Sequence, residues 1–408
     1  MRIAQINMLH NGSTGRIMLQ VAQRARENGH QVKTFSSPSF SFQGPEKLPQ
    51  FPEHSYFGSY FSRGIHTIAG IITGGNGFFS VCATAKLIRQ LKAFSPELIH
   101  LHNLHQFVLN LPMLFRYIKK SGAKVVWTLH DCWSFTGHCA HFDYAGCDKW
   151  ETGCHNCPQQ WEYPKSYVDN SKWMYRYKKK WFTGIEDMTV VTPSQWLANL
   201  VRQSFLKEYP VQVINNGIDL NIFKPAESDY RRKLGCEDKF MVLGVAFDWG
   251  QRKGLDVMSQ LVQRLGSDYR IVLVGTNDAV DAQLPENVIS IHQTDNQAQL
   301  AQLYTAADLF VNPTREDNYP TVHMEALACG TPVLTFAVGG SMEMLSEDCG
   351  TGVARDDVDA LEQQIRRVRA ERPFTGEACL QRARQFDMNV CFDEYVALYN
   401  EKNQEGSN

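Results

Sequence analysis

No excess of basic residues marks this chain. Its 41 Lys and Arg stand against 43 Asp and Glu, a net charge of −2, which argues against a general nucleic-acid binder, since such a protein carries a basic face that neutralises phosphates. It does not open on a secretory leader either: MRIAQINML has no long apolar core and no small-residue cleavage site, and reads as a first strand. Long apolar runs are scarce. Residues 65–85 carry no Asp, Glu, Lys or Arg, but Gly74-Gly75-Asn76-Gly77 interrupts them, so a loop running into a helix near Phe78 is expected rather than a membrane span. Without an export signal, the 11 cysteines are expected as thiols or metal ligands in a cytoplasmic protein, not as disulfides.

What is present is the balance of a soluble globular protein, with 43% hydrophobic and 21% charged residues. At 408 residues the chain is too long for one ordinary core, and two domains are expected. The first half starts with a strand over 2–7, a turn-rich loop, a helix through Asn28 and a strand over 30–35. The second half repeats these events with a strand over 240–245, the loop DWGQRKG, a helix over 255–265 and a strand over 270–274. Each is a parallel βαβ unit. Further strands are expected at 98–102, 124–130, 188–192 and 212–214, then at 288–292, 309–312 and 332–336. The fold class is therefore α/β, with two doubly wound Rossmann-like domains over 1–218 and 219–385 joined near Asn215-Asn216-Gly217. A last helix over 386–404 is expected to pack back on the first domain.

Ligands of such sheets bind at the carboxyl ends of the strands, which selects the loops at 12–16, 102–105, 130–131, 248–253, 275–278 and 314–319. In the first, Gly12-Ser13-Thr14-Gly15 lets amides approach an anion at a helix start, with Arg16 adding charge; a merely tight turn accounts for it equally. Arg252 and Lys253 before Gly254 make a second cationic helix start, against the alternative of a solvated loop. His130 closes the apolar run KVVWTLHD at a strand end, where ligands bind. The histidines of IHLHNLH are expected to pack at a strand end, with no evident acid partner for a metal. In DNYPTVHMEALACGTPV, Asn318-Tyr319-Pro320 is expected to start a helix with Asn318 as its cap. Glu325 then lies on that helix among apolar neighbours, where two carboxylate oxygens suit the vicinal hydroxyls of a ribose.

The spacing from Asp317 to Glu325, followed by ALACGTPV, Gly339-Gly340 and Glu343, resembles the E-x7-E signature of retaining glycosyltransferases of family 4. VINNGID and Lys253-Gly254 are similar to that family's interdomain and phosphate-binding motifs, while GSTGRI, WTLHDCWSFTGHC and EDNYP resemble bacterial enzymes of capsule, exopolysaccharide or O-antigen assembly. The resemblance implies a GT-B fold, two domains facing a cleft, and transfer of a sugar from a nucleotide-sugar donor to a glycan or lipid-linked glycan with retention, needing no cofactor for catalysis. It implies catalytic roles for His130 and Asp317, and donor binding by Gly15, Arg16, Arg252, Lys253, Asn318, Tyr319 and Glu325. Two departures stand out: Asp317 replaces the usual first glutamate, and no arginine stands near Ala246-Phe247, leaving Arg252 as its substitute. A nucleotide-sugar 2-epimerase on the same fold is the rival enzyme, and a zinc-containing nucleic-acid-binding or scaffold protein the rival of another class; a glycosidase would leave the cationic sites idle.

Two further expectations concern the first domain. KWMYRYKKKWF, residues 172–182, sets Met174, Tyr177 and Trp181 on one helical face among basic residues, the pattern of a helix lying on the inner membrane face, or of one packed on its own domain. Cys139, Cys147, Cys154 and Cys157 follow the spacing C-x7-C-x6-C-x2-C, which suits a structural zinc or a cluster of reduced thiols beside Trp150 and Trp161.

Overall fold

Continuous apolar runs form strands here because both faces of a parallel sheet are covered, leaving no polar side to alternate with. The computed structural model describes residues 1–38, 53–105 and 107–401. Within them β1 (Arg2–Leu9), β2 (Gln31–Ser37), β3 (His54–Tyr56), β4 (Leu98–Leu101), β5 (Lys124–Thr128), β6 (Met188–Thr192) and β7 (Val211–Val213) form one sheet in the order β3-β2-β1-β4-β5-β6-β7. A second sheet, in the order β10-β9-β8-β11-β12-β13, contains β8 (Phe240–Val245), β9 (Tyr269–Val274), β10 (Ile289–Ile291), β11 (Leu309–Asn312), β12 (Val333–Phe336) and β13 (Gly350–Val353). Every pairing is parallel. The short edge strands β3 and β13 are the two that the periodicity reading lacks.

The chain divides into two compact units, residues 1–215 with 392–408, and residues 216–391. The first has one core cluster, on a single face of its sheet, built by residues such as Ile6, Phe35, Leu101, Phe115 and Trp127. The second has a core on each face of its sheet, around Leu243 and Phe310 on one side and Val242 and Leu273 on the other.

The last helix, Met388–Asn400, belongs to both units. Gly217 lies so close beneath Met388 that any Cβ there would collide with its backbone. In the first unit the same helix presents Tyr399, whose hydroxyl lies 2.6 Å from His100 Nδ1, and Tyr395, which accepts a hydrogen bond from Thr128 Oγ1 at 3.1 Å. Arg24 grips Asp393 through two bonds of 2.6 Å. Residues 402–404, the end of the expected helix, lie outside the described residues.

Two local expectations are corrected. Residues 65–73 are not a loop: a helix spans Tyr60–Thr73, started by a reciprocal Ser59–Ser62 capping box and closed by Gly74 at φ 66°. No helix among the described residues is long and apolar enough to cross a membrane. In the helix Ser171–Phe182, Met174 and Trp181 are buried in the first core, so of the three residues expected on a membrane face only Tyr177, 39% exposed, is accessible. The helical period puts Lys178 on that same buried side, at 0% exposure.

Candidate functional site

Both sheets reverse their order at the first strand, β1 against β4 and β8 against β11. Loops leaving the carboxyl ends of such a strand pair diverge and open a crevice between them. In the second unit these loops carry Arg252 and Lys253 after β8, and residues 313–320 after β11. They are bound tightly together. Arg315 N donates to the Arg252 carbonyl at 2.8 Å, Arg252 Nη1 donates to the Glu316 carbonyl at 3.2 Å, and Lys253 Nζ meets Asp317 Oδ2 at 2.5 Å. Gly254, at φ 75°, lets the helix start touch Pro313, where a Cβ would strike the carbonyl. The crevice thus holds a cation and a carboxylate in contact, each about one-fifth exposed.

Glu325 lies on the helix Thr321–Ala328 and is 8% exposed. Tyr304 donates its hydroxyl to Glu325 Oε2 at 3.1 Å, which fixes the carboxylate. Burial beside this carboxylate pushes the Tyr304 hydroxyl well above its ordinary value, so Tyr304 stays a donor. Asp317 and Glu325 therefore take different partners, the first a cation and the second a phenol. The cap position of the helix is Pro320, not Asn318, and no side chain caps it. Asn318 and Tyr319 are 8% and 5% exposed, with Tyr319 in the core, so that side chain braces the loop from inside.

Sequence reasoning passed over Arg315. Its guanidinium, 7% exposed, bonds both oxygens of Asp256 at 2.7 Å and Asp356 at 2.6 Å. These bonds tie the loop after β11 to the helix Leu255–Leu265 that Arg252 and Lys253 precede. The available signal was REDNYP itself, an arginine beside two acids at a strand end.

In the first unit Gly15 is required by contact, because a Cβ there would collide with the backbone of His10. Arg16 next to it is exposed at the start of the helix Gly12–Glu27. His130 lies two residues beyond β5, with its Nε2 3.2 Å from His102 Nδ1. One ring of such a pair must donate and the other accept. Burial lowers His130 to about 4, so the imidazole is neutral near pH 7 and able to accept or donate one hydrogen bond. The expectation that the histidines lack an acid partner is corrected. Asp131 accepts from Asn103 Nδ2 at 3.1 Å and from Trp133 N at 2.9 Å, and lies 2.8 Å from His105 Nε2, while His105 Nδ1 reaches Tyr163 Oη at 2.6 Å. Burial opposes the charge of Asp131, yet His105 beside it and the Trp133 amide hold its carboxyl at about 2. The structure thus gathers His102, His105, His130 and Asp131 at one end of the first unit's sheet.

The family model described as Glycosyltransferase Family 4 matches residues 14–222, and that described as Glycosyl transferases group 1 matches residues 238–371. WcaC of Escherichia coli (strain K12), a protein assigned as a colanic acid biosynthesis glycosyl transferase, is 29% identical over 317 residues, covering 74% of this chain and 76% of that one. Among solved structures, the sucrose-phosphate synthase from Thermosynechococcus elongatus superposes with a TM-score of 0.73 at 19% identity over 98% of both chains. HepE of Anabaena, solved in complex with UDP, superposes with a TM-score of 0.70 at 17% identity over 98% of this chain and 99% of that one. These structural likenesses establish the fold, which is GT-B.

Proposed function

The chain belongs to glycosyltransferase family 4, and from that premise we propose that it moves a sugar from a nucleotide-sugar donor to a glycan or lipid-linked glycan, with retention, in cell-surface polysaccharide biosynthesis. The observation that carries this reading is the contact of Lys253 with Asp317 in the crevice between β8 and β11. A donor diphosphate seated there meets Lys253, Arg252 and the adjoining helix start, which oppose the charge that develops as the phosphate leaves. Asp317 faces the transferred sugar while holding the ammonium in place. Glu325, held by Tyr304, accepts from the ribose diol.

In the first unit, Gly15 and Arg16 offer amides and charge to the donor phosphates, and neutral His130 orients a hydroxyl through a hydrogen bond. No proton transfer is assigned to His130. Asn318 and Tyr319 act through the loop they hold. WcaC's assignment supports a polysaccharide acceptor, and the UDP held by HepE makes uridine diphosphate sugars the first donors to test. Thermal-shift titration against a panel of nucleotide sugars should yield one that stabilises the protein, with Glu325→Gln losing most of that shift. NMR of the product should show the donor's anomeric configuration kept. A product of inverted configuration, or an isomerised nucleotide sugar formed without acceptor, overturns the reading.

A lipid-linked acceptor calls for a membrane-facing surface, and the helix Tyr60–Thr73 offers one. Phe61, Ile65, Ile68 and Ile72, spaced for one helical face, are 78%, 52%, 63% and 55% exposed. The segment bonded to its carboxyl end, through Tyr167 N to the Ile71 carbonyl at 2.8 Å, adds exposed Trp161, Tyr167 and Trp173. There Lys165, Lys172, Arg176, Lys179 and Lys180 are exposed and outnumber Glu162 and Asp169. An apolar row beside a basic surface fits an anionic bilayer. The protein should sediment with phosphatidylglycerol vesicles at low salt, and Phe61→Ser with Ile68→Asp should abolish this while sparing transfer to a soluble acceptor. Wild-type protein that stays in the supernatant removes the membrane from the proposal.

A further inference from the structure

Residues 136–170 contain no helix or strand, although they sit inside a compact unit where a stretch of this length without regular structure needs another source of order. Its own core is small: Phe142 stacks on Trp150 with centroids 5.2 Å apart, and Phe135 meets Trp150 at 5.3 Å. Trp161, expected beside the cysteines, is instead 58% exposed. What the segment does gather is sulphur. Cys139, Cys147, Cys154 and Cys157 all line one pocket together with His138 and Trp150.

We propose that Cys139, Cys147, Cys154 and Cys157 bind one structural zinc ion, and that the buried ammonium of Lys178 is its counter-charge. Four observations carry it. First, the two halves of the cysteine pattern, far apart in sequence, converge: Cys139 shares a hydrogen bond with Cys157, and Cys154 lies within electrostatic range of both Cys147 and Cys157. Second, Gly137 N donates to Cys154 Sγ at 3.1 Å, the bond that steadies a metal-bound thiolate. Only glycine permits that approach, because a Cβ at Gly137 would lie 2.6 Å from the Cys154 Cβ.

Third, Lys178 is fully buried, with Nζ 2.7 Å from the Trp133 carbonyl and 3.4 Å from the centre of the Trp133 ring. The groups within its electrostatic reach are Cys154, Cys139 and Asp131. A buried cation needs an anion. Asp131 supplies one negative charge within reach, and a zinc ion with four thiolates adds excess negative charge on the cysteine side. Fourth, His138 Nε2 is buried and finds no hydrogen-bond partner among the described residues, and its ring lines the same pocket. Its other ring nitrogen donates to the Gln160 carbonyl, so in the neutral ring Nε2 presents a lone pair to the pocket, a nitrogen ligand able to stand in for one thiolate.

As placed, no three of these sulphurs lie within 4.8 Å of one another; among the described residues the one such group of His, Cys, Asp or Glu is Asp278, Asp281 and His292 on the second unit's surface. A tetrahedral site with Zn–S near 2.3 Å sets its sulphurs about 3.8 Å apart, so binding the ion requires the cysteine side chains to turn inward. With all four positions filled by protein the ion takes no part in transfer. It staples the segment after Asp131 to the helix that carries Lys178, and the proposal stands independently of the donor assignment.

Elemental analysis of untagged full-length protein should find about one zinc per chain. Titration with an organomercurial, which forms an S–Hg bond at each thiolate, should release that zinc in step with thiol modification, a measurement on the wild-type chain that survives if cysteine variants do not fold. Cys154→Ser with Cys157→Ser should lose the metal and melt at lower temperature, while Cys236→Ser, altering a buried cysteine of the second unit, should keep it. Folded wild-type protein without zinc, iron in its place, or zinc retained by the double variant overturns the site.

Discussion

Lys253→Met is expected to lower the transfer rate by about 10²–10³-fold, or about 3–4 kcal/mol of transition-state stabilisation, with the fold intact. Two effects compete in this variant and their sizes separate them. The ion pair to Asp317 is lost, but both side chains are about one-fifth exposed, and a pair reached by solvent is worth about 1 kcal/mol or less to stability. The interaction with the leaving diphosphate grows as its charge grows, so its loss falls on the rate. Melting temperature should therefore move little while kcat collapses, and Lys253→Arg should recover only part of it because a planar fork replaces a point charge. A Lys253→Met enzyme within threefold of the wild-type rate would remove the diphosphate role.

Gly339→Ala should be among the most damaging single-methyl changes in the second unit. Its φ is 56°, a region that costs an alanine about 1 kcal/mol, and an added Cβ would be driven into the Asp317 carbonyl. That neighbour is backbone and cannot rotate away, so the loop after β11 must shift and carry Asp317 off Lys253. We expect loss of at least about 2 kcal/mol of stability together with nearly all activity. Gly29→Ala is the control, since Gly29 has φ 82° but nothing within 4 Å of the added carbon. Equal effects in the two variants, read by urea melts and initial rates, would show that conformation rather than contact with Asp317 is what counts.

Much of the donor side was readable because its signals are local. Lys253-Gly254 and the Asp317 to Glu325 spacing each sit in one loop or one helix turn, and the strand-end rule assigns both to the same edge. Their pairing was not readable, since it depends on β8 lying beside β11. Asp131 shows the same limit. It follows His130 directly, yet its partner His105 arrives from another loop, and the register of His100 opposite Val126 sets that meeting. The helix Tyr60–Thr73 was misread because its apolar row faces outward amid glycines, so burial could not mark it. Ser59 and Ser62 held the missed signal. In KWMYRYKKKWF, the helical period sets Lys178 with Met174 and Trp181 on the buried side, but its charge reads like that of the four exposed bases around it, Lys172, Arg176, Lys179 and Lys180.

The last helix has a consequence for synthesis. Gln5, His100 and Thr128 are all fully buried, and all three find hydrogen-bond partners in Tyr395 or Tyr399. Lys124 donates to the carbonyls of Leu398 and Glu401 at 2.6 and 2.9 Å. During translation these polar groups of the first sheet are made early and wait for partners made only after the whole second unit. The second unit can close as soon as residue 391 clears the ribosome, while the first, begun earlier, finishes later. A gene fragment ending at residue 215 encodes a sheet with its interior polar atoms unmatched, so the smallest self-sufficient form of the first unit is a non-contiguous one that includes residues 392–401.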